Sequence, residues 1–125
     1  MIPTVLQVAL GGAIGATLRF LASGAILRLV GPGFPVAILS INVLGSFLMG
    51  LFAIWAAERS LTPLAPFLMT GVLGGFTTFS AFSLETVTLM ERGQPGTAAL
   101  YVLLSVGLSL GGLMLGAALG RGLFA

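Results

Sequence analysis

With 125 residues, of which 58% are hydrophobic and 6% charged, the chain has more apolar surface than a soluble core of its size can hide, and it reads as an integral membrane protein. Five arginines against three glutamates leave a net charge of +2, an excess that raises the pI without forming a nucleic-acid patch. Cys, His, Asp and Lys are all absent, which excludes a Cys/His metal site, a Cys or His nucleophile and a Schiff-base lysine, so no enzyme is expected.

The first apolar segment, residues 5–27, has no basic leader and too long an apolar run for a signal peptide, and is read as a retained helix. Gly11 and Gly15 stand four apart on it, a spacing that lets another backbone approach closely. Arg19 lies well inside the same segment, where a charge is costly unless it is paired or wet. Gly31-Pro32-Gly33-Phe34-Pro35 is a tight link, with Pro35 suited to an early helical position. The second segment, residues 36–57, carries Ser40, Asn42 and Ser46, the last two one turn apart on one face, and Ser46 with Gly50 repeats the small-residue spacing.

The third segment, residues 64–90, contains Gly71-Val-Leu-Gly74-Gly75-Phe76-Thr77-Thr78-Phe79-Ser80-Ala81-Phe82 where a lipid-facing helix would carry Leu and Ile. Adjacent glycines weaken the helix and the hydroxyls compete for backbone partners, so the helix is expected to break here and free carbonyls at membrane depth. Irregular backbone in a bilayer survives only against protein, a cavity or an ion. Phe79 and Phe82, three apart, would stand on nearly one face beside the break, with Glu85 about a turn further on. The fourth segment, residues 96–119, has Gly107, Gly111, Gly112, Gly116 and Gly120 for close packing and a Tyr101, Ser105, Ser109 stripe at i, i+4, i+8. No strand precedes the glycine-rich run and no Gly-Lys-Ser/Thr follows it, so it is not a nucleotide loop.

Each segment reaches the ~20 residues needed to cross ~30 Å of hydrocarbon, and the links are short, so residues 1–125 are expected to form a single all-α domain of four transmembrane helices. Arg59 and Arg121 lie at one membrane face and Arg28 and Arg92 at the other, a balance of two against two that gives no strong preference for one orientation. Four short helices are too few to enclose a polar pathway. An antiparallel, dual-topology homodimer would remedy that and would recreate between chains the inverted repeat of many transporters.

The Asn, Ser and Thr residues with the phenyl rings form a track of neutral donors. Amide N–H, hydroxyls and the positive edge of a phenyl ring all suit a small, strongly hydrated anion that must be bound and yet leave. Each hydroxyl taken alone also has a plainer role, bonding the carbonyl four residues back in its own helix.

Gly12-Ala-Ile-Gly15-Ala-Thr-Leu-Arg19, Asn42-Val-Leu-Gly45-Ser46-Phe47 and Gly71-x-x-Gly74-Gly75-x-Thr77-Thr78-Phe79-Ser80-x-Phe82 resemble the fluoride channels called Fluc or CrcB, over the whole length of the chain. The resemblance implies a passive, fluoride-selective channel in a bacterial plasma or inner membrane, built as an antiparallel homodimer with two pores and one central structural sodium ion. It implies Phe79 and Phe82 as pore phenylalanines, Asn42 as a pore donor, and Thr78, Tyr101, Ser105, Ser109 and Glu85 as the polar track. Arg19 would belong to a vestibule, and the backbone carbonyls of Gly74 and Thr77 would bind sodium. Where family members often have Gly-Thr before the Asn, this chain has Ala37-Ile38, so a hydroxyl at that end is missing or replaced by Ser40. The alternative is a small dual-topology multidrug transporter, a class that relies on an early membrane-embedded carboxylate; here no acid precedes Glu58.

Overall fold

The computed structural model describes residues 2–124. Among them, four helical spans are long and apolar enough to cross a membrane: Thr4–Val30, Val36–Glu58, Thr62–Glu91 and Pro95–Phe124. The first, second and fourth are continuous helices, α1, α2 and α5 in chain order, and each runs slightly past the C-terminal end expected from the apolar pattern. The third is bent and composite. A short 3₁₀ turn, Thr62–Leu64, leads into a wide helix, Pro66–Leu73, then one α-helical turn, α3 (Gly74–Phe76), and after an interruption the helix α4 (Phe79–Glu91).

The helix ends follow local chemistry. α1 stops at Gly31, whose N–H returns to the Leu27 carbonyl at 2.7 Å while its φ of 82° takes up a conformation only glycine holds cheaply. Pro32 follows and cannot continue the helix. α2 starts directly after Pro35, and α5 opens on Pro95, whose missing N–H costs nothing at a first helical position. In the wide helix the Gly74 N–H points to the Met69 carbonyl, an i→i−5 bond of π type.

Glycines decide which helices touch. A Cβ on Gly11 or Gly15 would collide with the carbonyls of Phe67 and Val72, so α1 and the first half of the third span lie backbone against backbone. Gly75 belongs to the same contact, since its Cβ would come within 2.7 Å of the Gly12 carbonyl. α2 and α5 form a second such pair: Gly50 faces the Leu113 carbonyl and Gly116 the Phe47 carbonyl. Gly107 and Gly111 meet nothing within 4 Å and take no part in that contact, so only the C-terminal portion of the α5 glycine series is packed within the chain.

The two pairs are joined by a small core. Ile38, Phe82, Leu89, Ala98 and Tyr101 cluster where α2, α4 and α5 meet, with Tyr101 fully buried. Ile38, one of the two residues that depart from the family pattern, is thus a packing residue. At the opposite face Trp55 lies 5.6 Å from the Phe52 ring and 6.2 Å from that of Phe124, and the Arg59 guanidinium sits 5.8 Å from the Phe124 centroid. Aromatic rings beside a cation suit the headgroup level of a bilayer.

Replacing Gly15 by Val is expected to cost about 1–3 kcal/mol, because the added side chain must push α1 off Val72. Gly24→Ala, at a position where nothing lies within 4 Å, should be neutral or slightly stabilising. Thermal denaturation of the two variants in detergent checks the contrast.

Candidate functional site

The interruption of the third span is two residues long. Thr77 (φ −83°, ψ 157°) and Thr78 (φ −151°, ψ 121°) are both extended, while Gly74 and Gly75, where weakening was expected, remain helical. Gly75 is needed for contact with α1, and the break falls on the β-branched pair that follows. Thr77 closes the helix before it: its N–H and its Oγ1–H both reach the Leu73 carbonyl, at 3.1 and 3.0 Å. Thr78 opens the helix after it, its Oγ1 accepting the Ala81 N–H at 3.1 Å as an N-cap and lying 3.2 Å from Ser80 Oγ.

In hydrocarbon the backbone of such a gap needs partners. Asn42, on α2, supplies them for Thr78: its Oδ1 accepts the Thr78 N–H at 2.8 Å and its Nδ2 donates to the Thr78 carbonyl at 3.0 Å. One side-chain amide therefore replaces both helical bonds of one residue. Because the Thr78 N–H turns to Asn42, the Gly74 carbonyl loses the donor a continuous helix would give it. The Thr77 carbonyl receives a long 3.4 Å contact from Arg19 Nη1, so the structure places Arg19 at the break itself.

Beside the clamp lies a cavity of about 320 Å³. α2 gives it Asn42 and Ser46, the break gives Thr77 and Thr78, α4 gives Phe79 and Phe82, and α5 gives Ser105, Val106, Ser109 and Leu110. None of these side chains is ionisable. The Phe79 and Phe82 centroids are 5.4 Å apart with their planes tilted by 57°, so the rings turn edges as well as faces toward their surroundings. Ser105 Oγ is buried and has no hydrogen-bond partner among the described residues. An orphaned hydroxyl is costly unless a ligand or water completes it.

Of the residues expected to act together, Asn42, Thr78, Phe79, Phe82, Ser105 and Ser109 meet in this cavity. Tyr101 stands behind it, its ring 5.2 Å from that of Phe82, and its hydroxyl donates to Glu85 Oε1 at 2.7 Å. Gly74 and Arg19 are not in its lining. Ser83 and Thr86, also polar residues of the third span, bond the carbonyls of Phe79 and Phe82 in their own helix. The clamp between Asn42 and Thr78 was not anticipated, since nothing in the sequence relates a residue to a backbone group 36 positions away.

The family described as CrcB-like protein, Camphor Resistance (CrcB), matches residues 6–117. The chain belongs to the CrcB family. Its CrcB relatives include a protein of Roseobacter denitrificans, 63% identical over 123 residues that cover 97% of this chain and 98% of the relative. Another, from Ruegeria sp., is 63% identical over 123 residues, with 98% of both chains covered. A third, from Agrobacterium fabrum, is 50% identical over 119 residues, covering 94% of this chain and 95% of its own. All three are named "Fluoride-specific ion channel FluC". CrcB proteins are thus ion channels and not enzymes, and the four apolar spans make this one a multi-pass membrane protein.

In this CrcB chain, Asn42→Leu is expected to cost about 2–4 kcal/mol, since it strands both polar groups of Thr78. Asn42→Asp should cost less when its carboxyl is protonated, since one oxygen then accepts the Thr78 N–H while the O–H donates to the Thr78 carbonyl. Amide hydrogen exchange through residues 76–80 checks the order: fastest in the Leu variant, intermediate in the Asp variant, slowest in the parent.

Proposed function

We propose that the protein is a fluoride-selective channel that lets the anion leave a bacterial cytoplasm by passive electrodiffusion. The observation that carries this reading is the uncharged cavity at the broken helix, lined by Asn42, two phenylalanines and the serines Ser105 and Ser109. Fluoride is small and tightly hydrated. Hydroxyls, the spare Nδ2–H of Asn42 and phenyl edges can replace its water one bond at a time, without a fixed cation that would hold it. The name shared by the curated relatives supports the choice of anion. In an acidic medium fluoride enters as HF and dissociates inside, so a leak for the anion alone is protective while the cell interior is negative.

The working unit in this reading is an antiparallel homodimer with two pores. Phe79 lines the cavity and is yet 77% exposed in the single chain, which supports a wall completed by a second copy. The balance of Arg28 and Arg92 against Arg59 and Arg121 supports insertion in both orientations.

A structural sodium ion at the centre of the dimer fits the donors present. The candidates are backbone oxygens, the Gly74 carbonyl without its helical donor and the Thr77 carbonyl with its long contact from Arg19, and hard oxygen donors suit an alkali cation. Two carbonyls are too few to replace a hydration shell, and a second chain would double them. When bound, the ion would neutralise the oxygens freed by the two breaks.

Purified protein in liposomes loaded with potassium fluoride and treated with valinomycin should release fluoride rapidly and chloride hardly at all, followed with ion-selective electrodes. No fluoride release from a verified dimer would refute the proposal. Phe79→Ile and Phe82→Ile should lower fluoride flux at least tenfold with the dimer intact on size-exclusion chromatography. Arginines added to one face should abolish activity when that variant is expressed alone and restore it when co-expressed with the opposite bias.

A further inference from the structure

Beyond the aromatic wall lies a second space. The Tyr101–Glu85 pair backs onto Phe82, and Glu85 also lines a cavity of about 220 Å³ on its far side, with Thr88 and Arg92 from the same helix and Gly33 and Pro35 from the first link. Glu85, Thr88 and Arg92 are spaced i, i+3, i+7, which puts them on one face of α4. The rise from Glu85 to Arg92 is about 10 Å, and from the break to Arg92 about 20 Å, enough to pass from mid-bilayer to the headgroups. The face therefore leads from the back of the Phe82–Tyr101 wall to the membrane surface.

That route contains a difficulty for an anion. Glu85 presents a carboxylate at the narrow end, and among the residues lining this space only Arg92 carries the opposite charge. Arg28, at the same membrane face, lines a separate, mostly apolar cavity beside α1, which Glu85 also borders. Glu91, next to Arg92 in sequence, is not in the lining. We propose that the Glu85–Thr88–Arg92 cavity is the outer mouth of the anion pathway and that Arg92 determines the rate of entry by offsetting the field of Glu85. The inference rests on the channel reading above and assigns a function to a residue that lies outside the cavity at the break. Thr88 takes no charge and its hydroxyl donates to the Leu84 carbonyl at 2.8 Å, so Arg92 is the one cation in this lining.

The chain has no cysteine, so one introduced at the mouth is the only thiol to label. Arg92→Cys, labelled in detergent with either a cationic or an anionic methanethiosulfonate and then reconstituted, is compared with wild type and with Arg28→Cys. Arg28→Cys removes an arginine from the same face and so alters the topological balance equally. Unlabelled Arg92→Cys should pass fluoride about fivefold more slowly than wild type at low ionic strength, with the gap closing as salt shortens the screening length. The cationic label should restore the rate and the anionic label should lower it further, while Arg28→Cys responds to neither. Thr88→Cys, one turn inward, should show the same dependence on label charge and replaces Arg92→Cys if that variant fails to assemble. Equal responses to both labels, or the same response at Arg28, would overturn the assignment. Absence of fluoride flux in the wild type would instead overturn the channel reading itself.

Discussion

The exchange of two hydrogen bonds between the Asn42 side chain and the Thr78 backbone is the contact on which the rest depends. A two-residue extended gap within an apolar medium leaves polar groups that no lipid can satisfy, and a gap so placed would ordinarily close back into helix. One amide, offering a donor and an acceptor side by side, removes that driving force for Thr78. The position of the break is thereby tied to α2, which is fixed in turn against α5 by Gly50 and Gly116. Gly45 completes the link, since a Cβ there would strike the Thr77 methyl. Close helix packing and an irregular backbone are two parts of one arrangement.

From the break the remaining features follow in order. Thr78 caps α4, which sets the phase of that helix and so brings Phe79 and Phe82 to the same cavity. Phe82 then packs at a tilt against Tyr101, whose hydroxyl is fixed by Glu85. A change in the register of Thr78 would move each of these groups, although none of them touches Asn42 through a hydrogen bond of its own.

The four spans were legible because length and composition leave a chain of this kind few alternatives, and the packing glycines because close approach demands small residues at that spacing. Gly74 and Gly75 show where the same signal misleads. Adjacent glycines permit a break, but they equally permit contact, and here contact with α1 claims Gly75 while the extended residues are the two threonines. The wide turns of Pro66–Leu73 were not legible, since a short segment that is apolar on nearly every side has no phase from which to read an extra residue per turn. Asn42, Thr78, Phe79, Phe82, Ser105 and Ser109 were recognisable as a set by their chemistry. Which of their hydrogen atoms point into the cavity and which are consumed by backbone is a matter of tertiary geometry, as is the approach of Arg19 to a carbonyl 58 residues along the chain.

The cavities on either side of the Phe82–Tyr101 contact have a further consequence. Spaces of about 320 and 220 Å³ with several polar groups in their linings are roomy enough for several waters each, and because water is far more polarisable than the hydrocarbon around it, little potential is lost across it. In the channel proposed above, the membrane voltage would therefore fall mainly over the short stretch between them, where the Phe82 and Tyr101 rings meet at 5.2 Å. A charge crossing that stretch gains most of the ~2.3 kcal/mol that each 100 mV supplies, concentrated at the step where its hydration is least complete. On that reading the fold would act as a field-focusing device, with the voltage applied where desolvation makes the barrier highest.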